Sequence, residues 1–424
     1  MPSPLAAHWL LEPTVTFLNH GSFGATPRPV LDAQAAWRDE LERGPVRFLN
    51  VRLEGLLDDV RGSLGPFVGA RPEDLVFVPN ATTGVNTVLR SLRLQPGDEL
   101  LATDHEYNAC LNAAGAIATA AGARLVLAAV PFPVPSADAV VDAVLARVTD
   151  RTRFALVSHV TSATAVVFPI ERVVRELRER GVETIVDGAH APGMVPLDLH
   201  AIGAAAYTGN AHKWLCAPKG AAFLWVRRDL QDAVRPLVIS HGANSARRDR
   251  GRYRIEFDWI GTADPTAVLA IPEALRFGAS LVPGGWPALM VANRKRCLAG
   301  RDVVAAALGV SPATPDDMTG SMAALEVPVG VAPPAHDSAV ARHSAAADHP
   351  ALPDDLALPD DPLNAALFHE DGIEVPVVPW PQVPARTPDR ARSRILRISA
   401  QAYNDAQDYE RLAAALRRRR SRVA

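Results

Sequence analysis

Between about residues 56 and 300, short apolar runs alternate with longer stretches of helical periodicity. The runs are apolar on both faces, as the central strands of a parallel sheet are, and the helical stretches would cover that sheet. This alternation predicts an α/β fold with a mostly parallel seven-stranded sheet between helices. The predicted strands are residues 75–78, 99–103, 124–130, 153–159, 184–188, 204–209 and 221–226. The predicted helices are residues 83–93, 107–121, 137–148, 171–180, 265–281 and 286–308.

The C-terminal part of the chain has a different pattern. Residues 311–362 are rich in Pro, Asp and Ala, which predicts a loop with one strand in the segment MAALEVP. A helix, two strands and a second helix should follow, at residues 363–371, 374–378, 394–399 and 404–419. We therefore expect a smaller α+β domain at 301–424, a large domain at 41–300, and an N-terminal segment, 1–40, that packs on the small domain.

Charge and hydropathy exclude several classes of protein. A formal net charge of −3 over 424 residues gives no overall attraction to nucleic acid or to an anionic membrane. No apolar run approaches the roughly 18 residues that a membrane-spanning helix needs. The first residues lack the basic region and the continuous apolar region of a signal peptide. We therefore expect a cytoplasmic protein without nucleic-acid or membrane partners.

The potential metal ligands and the glycine pattern exclude further classes. Three scattered cysteines provide neither a disulfide framework nor a CxxC metal site. The twelve histidines show no HExxH or paired spacing, so no metal is expected. A nucleotide-binding oxidoreductase is an alternative for a layered α/β chain, but no G-x-G-x-x-G turn follows a predicted strand.

Lysine is scarce, because only three of the 44 basic residues are lysines. Lys213 follows a predicted strand directly, and Asp187 ends another predicted strand earlier in the chain. Each has a plainer explanation when taken alone, as a surface lysine or as a turn aspartate. Together they lie where the carboxyl ends of parallel strands should meet. An amine for an imine and a carboxylate for a ring nitrogen are the two groups that pyridoxal 5′-phosphate (PLP) requires.

Two further segments follow predicted strands and open helices. The run PNATTGVN, residues 79–86, offers hydroxyls and free backbone N–H groups at a helix N-terminus, which suit a phosphate. Helix capping alone would explain Thr82 equally well. Tyr107, in DHEYNA, could stack on a pyridine ring, although a single tyrosine is also explained by packing.

A set of ordered segments carries a resemblance to a known family. NATTGVN, DHEYNA, SHVTSATA, DGAHAPG, GNAHKW, WIGTADPTA and LRISAQAYND resemble the class V aminotransferase family, a fold-type-I group of PLP enzymes that also holds cysteine desulfurases. LNHGSFGATP and EVPVVPW are similar to the isopenicillin-N-epimerase-like subgroup. The similarity extends from about residue 15 to residue 410. It implies the fold-type-I architecture, a homodimer with shared active sites and an amino-acid-type substrate.

The resemblance also implies a role for individual residues. Lys213 would carry the internal aldimine and move the proton at Cα, and Asp187 would bind the pyridinium nitrogen, with Tyr107 and Ala189 on the two ring faces. Ser162 and His190 would lie near the ring hydroxyl. The phosphate would be held by Thr82, Thr83, Asn210, His212 and Thr262 of the partner subunit. Arg397 would bind the substrate carboxylate, a task suited to the guanidinium fork. Asn19 and Arg47 are further substrate-binding candidates.

The sequence departs from the desulfurases in two respects. Tyr107 stands where those enzymes usually carry a histidine, and no cysteine follows Cys297 to accept a persulfide. We therefore expect an epimerase or a C–S β-lyase of secondary metabolism that acts on an amino acid or a cysteine-containing conjugate. Decarboxylating, oxidatively deaminating or aminotransferase activity is an alternative, and an inactive scaffold is a distant one. The sequence identifies no second base for epimerisation. The arginine-rich stretch 246–254 is either an exposed loop or a source of one substrate-binding arginine.

Overall fold

The computed structural model describes residues 3–329, 331, 361–382 and 391–420. The central sheet contains seven strands, and short or C-terminal strands make up the rest. In chain order the strands are β1 Thr16–Phe17, β2 Leu75–Val78, β3 Glu99–Thr103, β4 Arg124–Ala128, β5 Thr152–Ser158, β6 Glu183–Asp187, β7 Ala206–Asn210, β8 Ala222–Val226, β9 Met322–Glu326, β10 Ile373–Glu374, β11 Val377–Trp380 and β12 Ser393–Ser399. All seven strands predicted for the large sheet are present, within about two residues at each end.

The helices lie between and after these strands. In chain order they are α1 His20–Phe23, α2 Arg28–Arg43, α3 Pro45–Arg47, α4 Leu53–Val68, α5 Ala81–Ser91, α6 Asn108–Ala120, α7 Ala137–Leu145, α8 Ile170–Glu179, α9 Leu199–Ile202, α10 Arg252–Phe257, α11 Thr266–Leu269, α12 Ile271–Ser280, α13 Gly285–Leu308, α14 Pro362–Asp371 and α15 Ala406–Arg420. The helix predicted over 265–281 is divided into α11 and α12. Pro272 lies in the first turn of α12 and has no N–H to continue the ladder of α11.

The strand order of the large sheet is β2-β8-β7-β6-β5-β3-β4. Only β8 runs antiparallel to its neighbours β7 and β2, and the other pairs are parallel, so the predicted mostly parallel sheet is confirmed. Because β2 and β7 both oppose β8, they point the same way. The carboxyl ends of β2, β3, β5, β6 and β7 therefore meet at one edge, where α/β sheets usually bind ligands.

The two faces of this sheet bury alternate residues of each strand. Leu100 of β3 packs in one apolar cluster and its neighbour Leu101 packs in another on the opposite face. Leu156 and Val157 of β5 divide between the clusters in the same way. This period of two, with both faces covered, explains why the strands appear in the sequence as continuous apolar runs.

The C-terminal part forms a three-stranded antiparallel sheet of order β11-β12-β9, against which α13 and α15 pack. β1 joins this part by pairing in parallel with β10. The predicted strand 374–378 is wrong as a single element, because the chain leaves β10 and joins β12 only from Val377. Pro376, which has no N–H, lies at the change of partner. The predicted loop over 311–362 falls largely on residues outside those described. Within the described residues, no helix is long and apolar enough to cross a membrane.

Candidate active site

The polar edge of the large sheet brings three strand ends into register. Ser158 of β5 pairs with Asp187 of β6, and Asp187 pairs with Thr208 of β7. Lys213 follows the end of β7 after two intervening residues. The sheet topology therefore places the aspartate and the lysine at the same edge.

The amino group of Lys213 lies close to His190. The Lys213 Nζ and the His190 Nε2 are 2.9 Å apart, while Trp214 Nε1 donates to the other ring nitrogen at 3.4 Å. Desolvation, with a smaller contribution from the nearby positive charge of Arg397, lowers the pKa of Lys213 from 10.5 to about 7. At neutral pH a substantial fraction of this amine is therefore unprotonated and can act as a nucleophile or base.

Asp187 is buried, with two defined donors. Its Oδ1 accepts a hydrogen bond from the backbone N–H of Ala189 at 3.0 Å, and its Oδ2 accepts one from the thiol of Cys110 at 3.2 Å. Burial raises the pKa of Asp187, while the charge of Lys213 acts in the opposite direction. The same attraction to Asp187 raises the pKa of Lys213. The charges of the two side chains therefore act on each other.

The N-terminus of α5 adjoins this edge. Asn80 caps the helix, since its Oδ1 accepts from the backbone N–H of Thr83 at 2.8 Å. Asn210, at the end of β7, accepts from the backbone N–H of Ala81 at 2.8 Å. Thr82 lies between them and is half-buried. The structure thus brings Thr82, Thr83 and Asn210 together in an arrangement that suits an anion.

His212 is turned toward the protein interior through one of its nitrogens. Its Nδ1 donates to the backbone carbonyl of Ala221 at 3.0 Å. Burial lowers the pKa of His212 to about 4, so the ring is neutral at pH 7. Its Nε2 then carries a lone pair and can donate to a phosphate only if an anion first raises the pKa of the ring.

Arg397, in β12, is a buried cation that has no acidic partner among the residues that the structure describes. Its Nη1 donates to the backbone carbonyl of Ser162 at 2.6 Å, and its Nη2 donates to Ser22 Oγ at 2.9 Å and to Asn19 Oδ1 at 3.4 Å. Its Nε is buried without a hydrogen-bond partner in the described part of the chain. Burial lowers the pKa of Arg397 to about 10. A buried guanidinium with free donor capacity fits an incoming carboxylate.

Three predicted residues are open to solvent in the single chain. Tyr107 is 44% exposed directly before α6, and its phenol lies close enough to Arg397 to affect the pKa of that guanidinium. Thr262 lies on an exposed turn between α10 and α11, and Arg47 is exposed at the end of α3. Within the described ranges, Arg47 makes no contact with the residues of the pocket in the single chain. Its role in substrate binding therefore stays a prediction.

The arginine-rich stretch 246–254 is occupied by ion pairs inside the chain. Arg247 makes two hydrogen bonds to Glu54, at 2.6 and 2.9 Å, and Arg254 pairs with Asp58 at 3.0 Å. Arg250 also pairs with Asp58. These contacts favour a structural role on α4 over the substrate-binding alternative.

Sequence reasoning missed two residues that contact the predicted pair. Cys110 lies on α6 and reaches Asp187, while His20 on α1 reaches the backbone carbonyl of Lys213 at 3.0 Å. Both contacts join residues far apart in the chain, so no local spacing signals them. The glycines of NHGSFG were a usable signal that this segment packs closely against another part of the chain. Gly24 has φ +70°, and a Cβ there would lie 2.1 Å from the backbone oxygen of His212.

Among the described residues, no cluster of three or more His, Cys, Asp or Glu side chains could hold a metal ion. The groups that the described residues offer at this edge include the amine of Lys213, the buried carboxylates of Asp187 and Glu106, the N-terminus of α5 and the guanidinium of Arg397.

Comparisons with known proteins show which family the chain matches. The family model for Aminotransferase class-V matches residues 26–277. An isopenicillin N epimerase from Amycolatopsis lactamdurans is 35% identical over 423 residues, which cover 96% of each chain. A putative L-cysteine desulfhydrase from Oryza sativa subsp. japonica is 30% identical, over 95% of this chain and 82% of the relative.

A solved structure has the same fold. A variant of C-DES with glycine covalently linked to its PLP cofactor matches with a TM-score of 0.72 and 20% identity, over 96% of this chain and 97% of that chain. The predicted fold class is confirmed. On the match of the family model and the near-complete relatives, the chain belongs to the class V aminotransferase family, whose enzymes use PLP.

Proposed function

We propose that this chain is a PLP-dependent enzyme that removes the Cα proton of an amino acid or a cysteine-containing conjugate and acts as an epimerase or a C–S β-lyase. The relatives named above carry out one or the other of these activities by name. The observation that carries the proposal is the buried Arg397, which has no acidic partner in the described residues and lies in the field of the Lys213 amine.

The residues at the sheet edge fit the cofactor. Asp187 is buried, and Lys213 is the cation that acts on it among the described residues, so a protonated ring nitrogen would satisfy its carboxylate. Thr82, Thr83 and Asn210 would hold the phosphate at the α5 N-terminus. When bound, PLP supplies an electron sink for the bonding pair released at Cα. Tyr107 and Ala189 would cover the ring faces, and His190 and Ser162 would lie on the hydroxyl side.

Arg397 would orient the substrate by its α-carboxylate. Ser162, Ser22 and Asn19 hold the guanidinium by its two terminal nitrogens. The Nε of Arg397 has no partner among the described residues, so it can donate to a carboxylate that enters the pocket. Fixing the carboxylate and the amino nitrogen together fixes the direction of the Cα–H bond toward Lys213.

Lys213 would hold the cofactor covalently until the substrate amine displaces it, and would then accept the Cα proton. Its depressed pKa leaves about half of the freed amine unprotonated at pH 7, and a general base must be unprotonated to accept a proton. Return of a proton on the opposite face would give the epimer, whereas loss of a sulfur group from Cβ would give the lyase products. Tyr107 is the phenol nearest Arg397 that could serve the second face.

The test is incubation of the holoenzyme in deuterated water with L-amino acids and cysteine S-conjugates. Deuterium at Cα with loss of chirality identifies an epimerase, and release of a thiol with a keto acid identifies a lyase. Lys213→Ala should abolish both, and Lys295→Ala, an exposed lysine, should retain them. Carbon dioxide release, or amino transfer without either product, would contradict the proposal. So would the absence of any Cα exchange.

We further propose a homodimer in which Thr262 of the partner subunit completes the phosphate site. Exposed apolar side chains support an interface, because Phe23, Val46 and Val51 are about three-quarters exposed. Mixing Lys213→Ala chains with Thr262→Asp chains should restore activity, since one site of each hybrid is then intact. A mixture no more active than its separate components would contradict the shared site.

The remaining proposals concern domains and location. We propose the division at residues 40 and 300, supported by the pairing of β1 with β10, which ties the N-terminal segment to the small domain. We propose a cytoplasmic location because Cys110, Cys216 and Cys297 are all free and buried, as is usual in a reducing compartment. Limited proteolysis and fractionation of the source cells test these two points.

A further inference from the structure

His20 lies between the Lys213 turn and the C-terminal part of the chain. Its imidazole is fully buried, and its Nε2 is 3.0 Å from the backbone carbonyl oxygen of Lys213. Its Nδ1 is 2.8 Å from the hydroxyl of Tyr403. The ring therefore touches the main chain of Lys213 but not its amino group.

The hydrogen bonds define one tautomer of His20. A carbonyl oxygen can only accept, so the Nε2 must carry the proton and donate to Lys213. Burial lowers the pKa of His20 to about 3, so the ring is neutral and its Nδ1 must accept from Tyr403. The result is a directed chain from the Tyr403 hydroxyl through His20 to the Lys213 carbonyl.

The same short turn also contacts Arg397. Asn19 and Ser22 lie on either side of His20 in the sequence, and both accept hydrogen bonds from the guanidinium of Arg397. Gly24 then packs against the backbone directly before Lys213 at a distance that no Cβ would allow. One turn of the N-terminal segment thus touches both the candidate cofactor lysine and the candidate carboxylate-binding arginine.

We propose that His20 is a positioning residue that fixes the main chain of Lys213, with Tyr403 holding it in the required tautomer. This inference rests on the proposed function, since it requires Lys213 to carry the cofactor. A mispositioned lysine main chain would move the amine relative to the ring, so cofactor retention should depend on the hydrogen bond itself.

Three variants and one control test this in the holoenzyme. His20→Leu removes the donor, His20→Gln returns an N–H near the position of Nε2, and Tyr403→Phe removes only the hydroxyl. Tyr253→Phe is the matched control, because Tyr253 is equally buried and its hydroxyl donates to the Leu224 carbonyl at 3.3 Å. The measurements are the rate of cofactor release, the pH midpoint of the visible band of the lysine-bound cofactor, and the thermal midpoint.

We expect His20→Leu to speed cofactor release about tenfold and to move the pH midpoint of the band by about one unit, as the loss of one buried hydrogen bond implies. His20→Gln should recover most of both effects. Tyr403→Phe should speed release about threefold and move the pH midpoint by about half a unit. Tyr253→Phe should change neither quantity, although its thermal midpoint falls.

Two results would overturn the inference. One is a change in Tyr403→Phe no larger than that in Tyr253→Phe, a comparison that stands even if His20→Leu does not fold. The other is His20→Gln behaving like His20→Leu. If the wild-type protein binds no PLP, the proposed function fails instead, so the two failures are distinguishable.

Discussion

Arg397 and Arg61 are both buried arginines, and they should respond in opposite ways to replacement by leucine. Arg61 is fully buried and pairs with Asp58 and Asp258. Arg397 has no acidic partner among the described residues, and its burial lowers the pKa from 12.5 to about 10. Because the folded-state pKa is depressed, holding the charge costs stability at every pH below about 10. The cost is roughly 3 kcal/mol.

The magnitudes follow from these surroundings. Arg397→Leu removes the cost of the buried charge but also leaves the Ser162 carbonyl without its donor, a loss of about 1–3 kcal/mol. The two terms oppose each other, so the free energy of unfolding should change by about 2 kcal/mol or less, and it should not fall. Arg61→Leu takes the nearer of two arginines from the buried Asp258, which keeps a longer contact with Arg250, and leaves the buried Leu75 carbonyl without its donor. It should cost about 3–5 kcal/mol.

The effects of the two substitutions on catalysis should be the reverse of their effects on stability. Loss of a desolvated charge pair with the substrate carboxylate costs about 2–5 kcal/mol, so kcat/KM for Arg397→Leu should fall roughly 30- to 5,000-fold. Arg61→Leu should retain most of its activity below its unfolding temperature.

The assay combines urea unfolding with kcat/KM for a substrate and for its α-carboxamide. The wild-type protein should prefer the acid strongly, and Arg397→Leu should lose that preference. The reasoning is refuted if Arg397→Leu is destabilised as much as Arg61→Leu, or if it still discriminates between acid and amide.

Three other outcomes are expected. In cofactor-free protein, the rate of acylation of Lys213 should rise with pH through about 7 and then flatten, because only the neutral amine reacts. A rise that continues to about 10.4, the ordinary lysine value, would contradict this. Gly24→Ala should abolish cofactor binding by displacing the Lys213 turn, whereas Gly97→Ala, also at positive φ but in open space, should cost only about 1 kcal/mol of stability. Equal effects of Gly24→Ala and Gly97→Ala on cofactor binding would refute the predicted clash with the His212 backbone. Cys110→Ala should weaken PLP affinity about three- to tenfold by removing the donor to Asp187, and Cys110→Ser should restore it. Equilibrium titration with PLP checks this. Identical affinities of the wild-type protein and Cys110→Ala would count against the contact.

The strands could be predicted from the sequence because burial of both faces leaves a local signal. Runs such as ELLAT coincide with β3 residue for residue. The direction of β8 could not be predicted, because its buried pattern is the same whichever way it runs. The division of 374–378 depends on which partner each half meets, and β1, the partner of the first half, is far away in the sequence.

The site was predictable where strand ends and rare residue types coincide. Lys213 and Asp187 lie at the ends of β7 and β6, so topology alone brings them to one edge. His20 and Cys110 belong to elements whose sequences give no sign of their contacts. Their roles depend on how the N-terminal turn and α6 pack against that edge, which only the three-dimensional structure provides.

The central claim is that Lys213 carries the cofactor that Asp187 faces. Borohydride reduction of the PLP-loaded protein, followed by peptide mass mapping, tests it directly, since the chain has only three lysines. We expect the reduced cofactor on the peptide that contains Lys213, with labelling lost in Lys213→Ala and kept in Lys219→Ala and Lys295→Ala. Labelling at Lys219 or Lys295, or unchanged labelling in Lys213→Ala, would contradict the account.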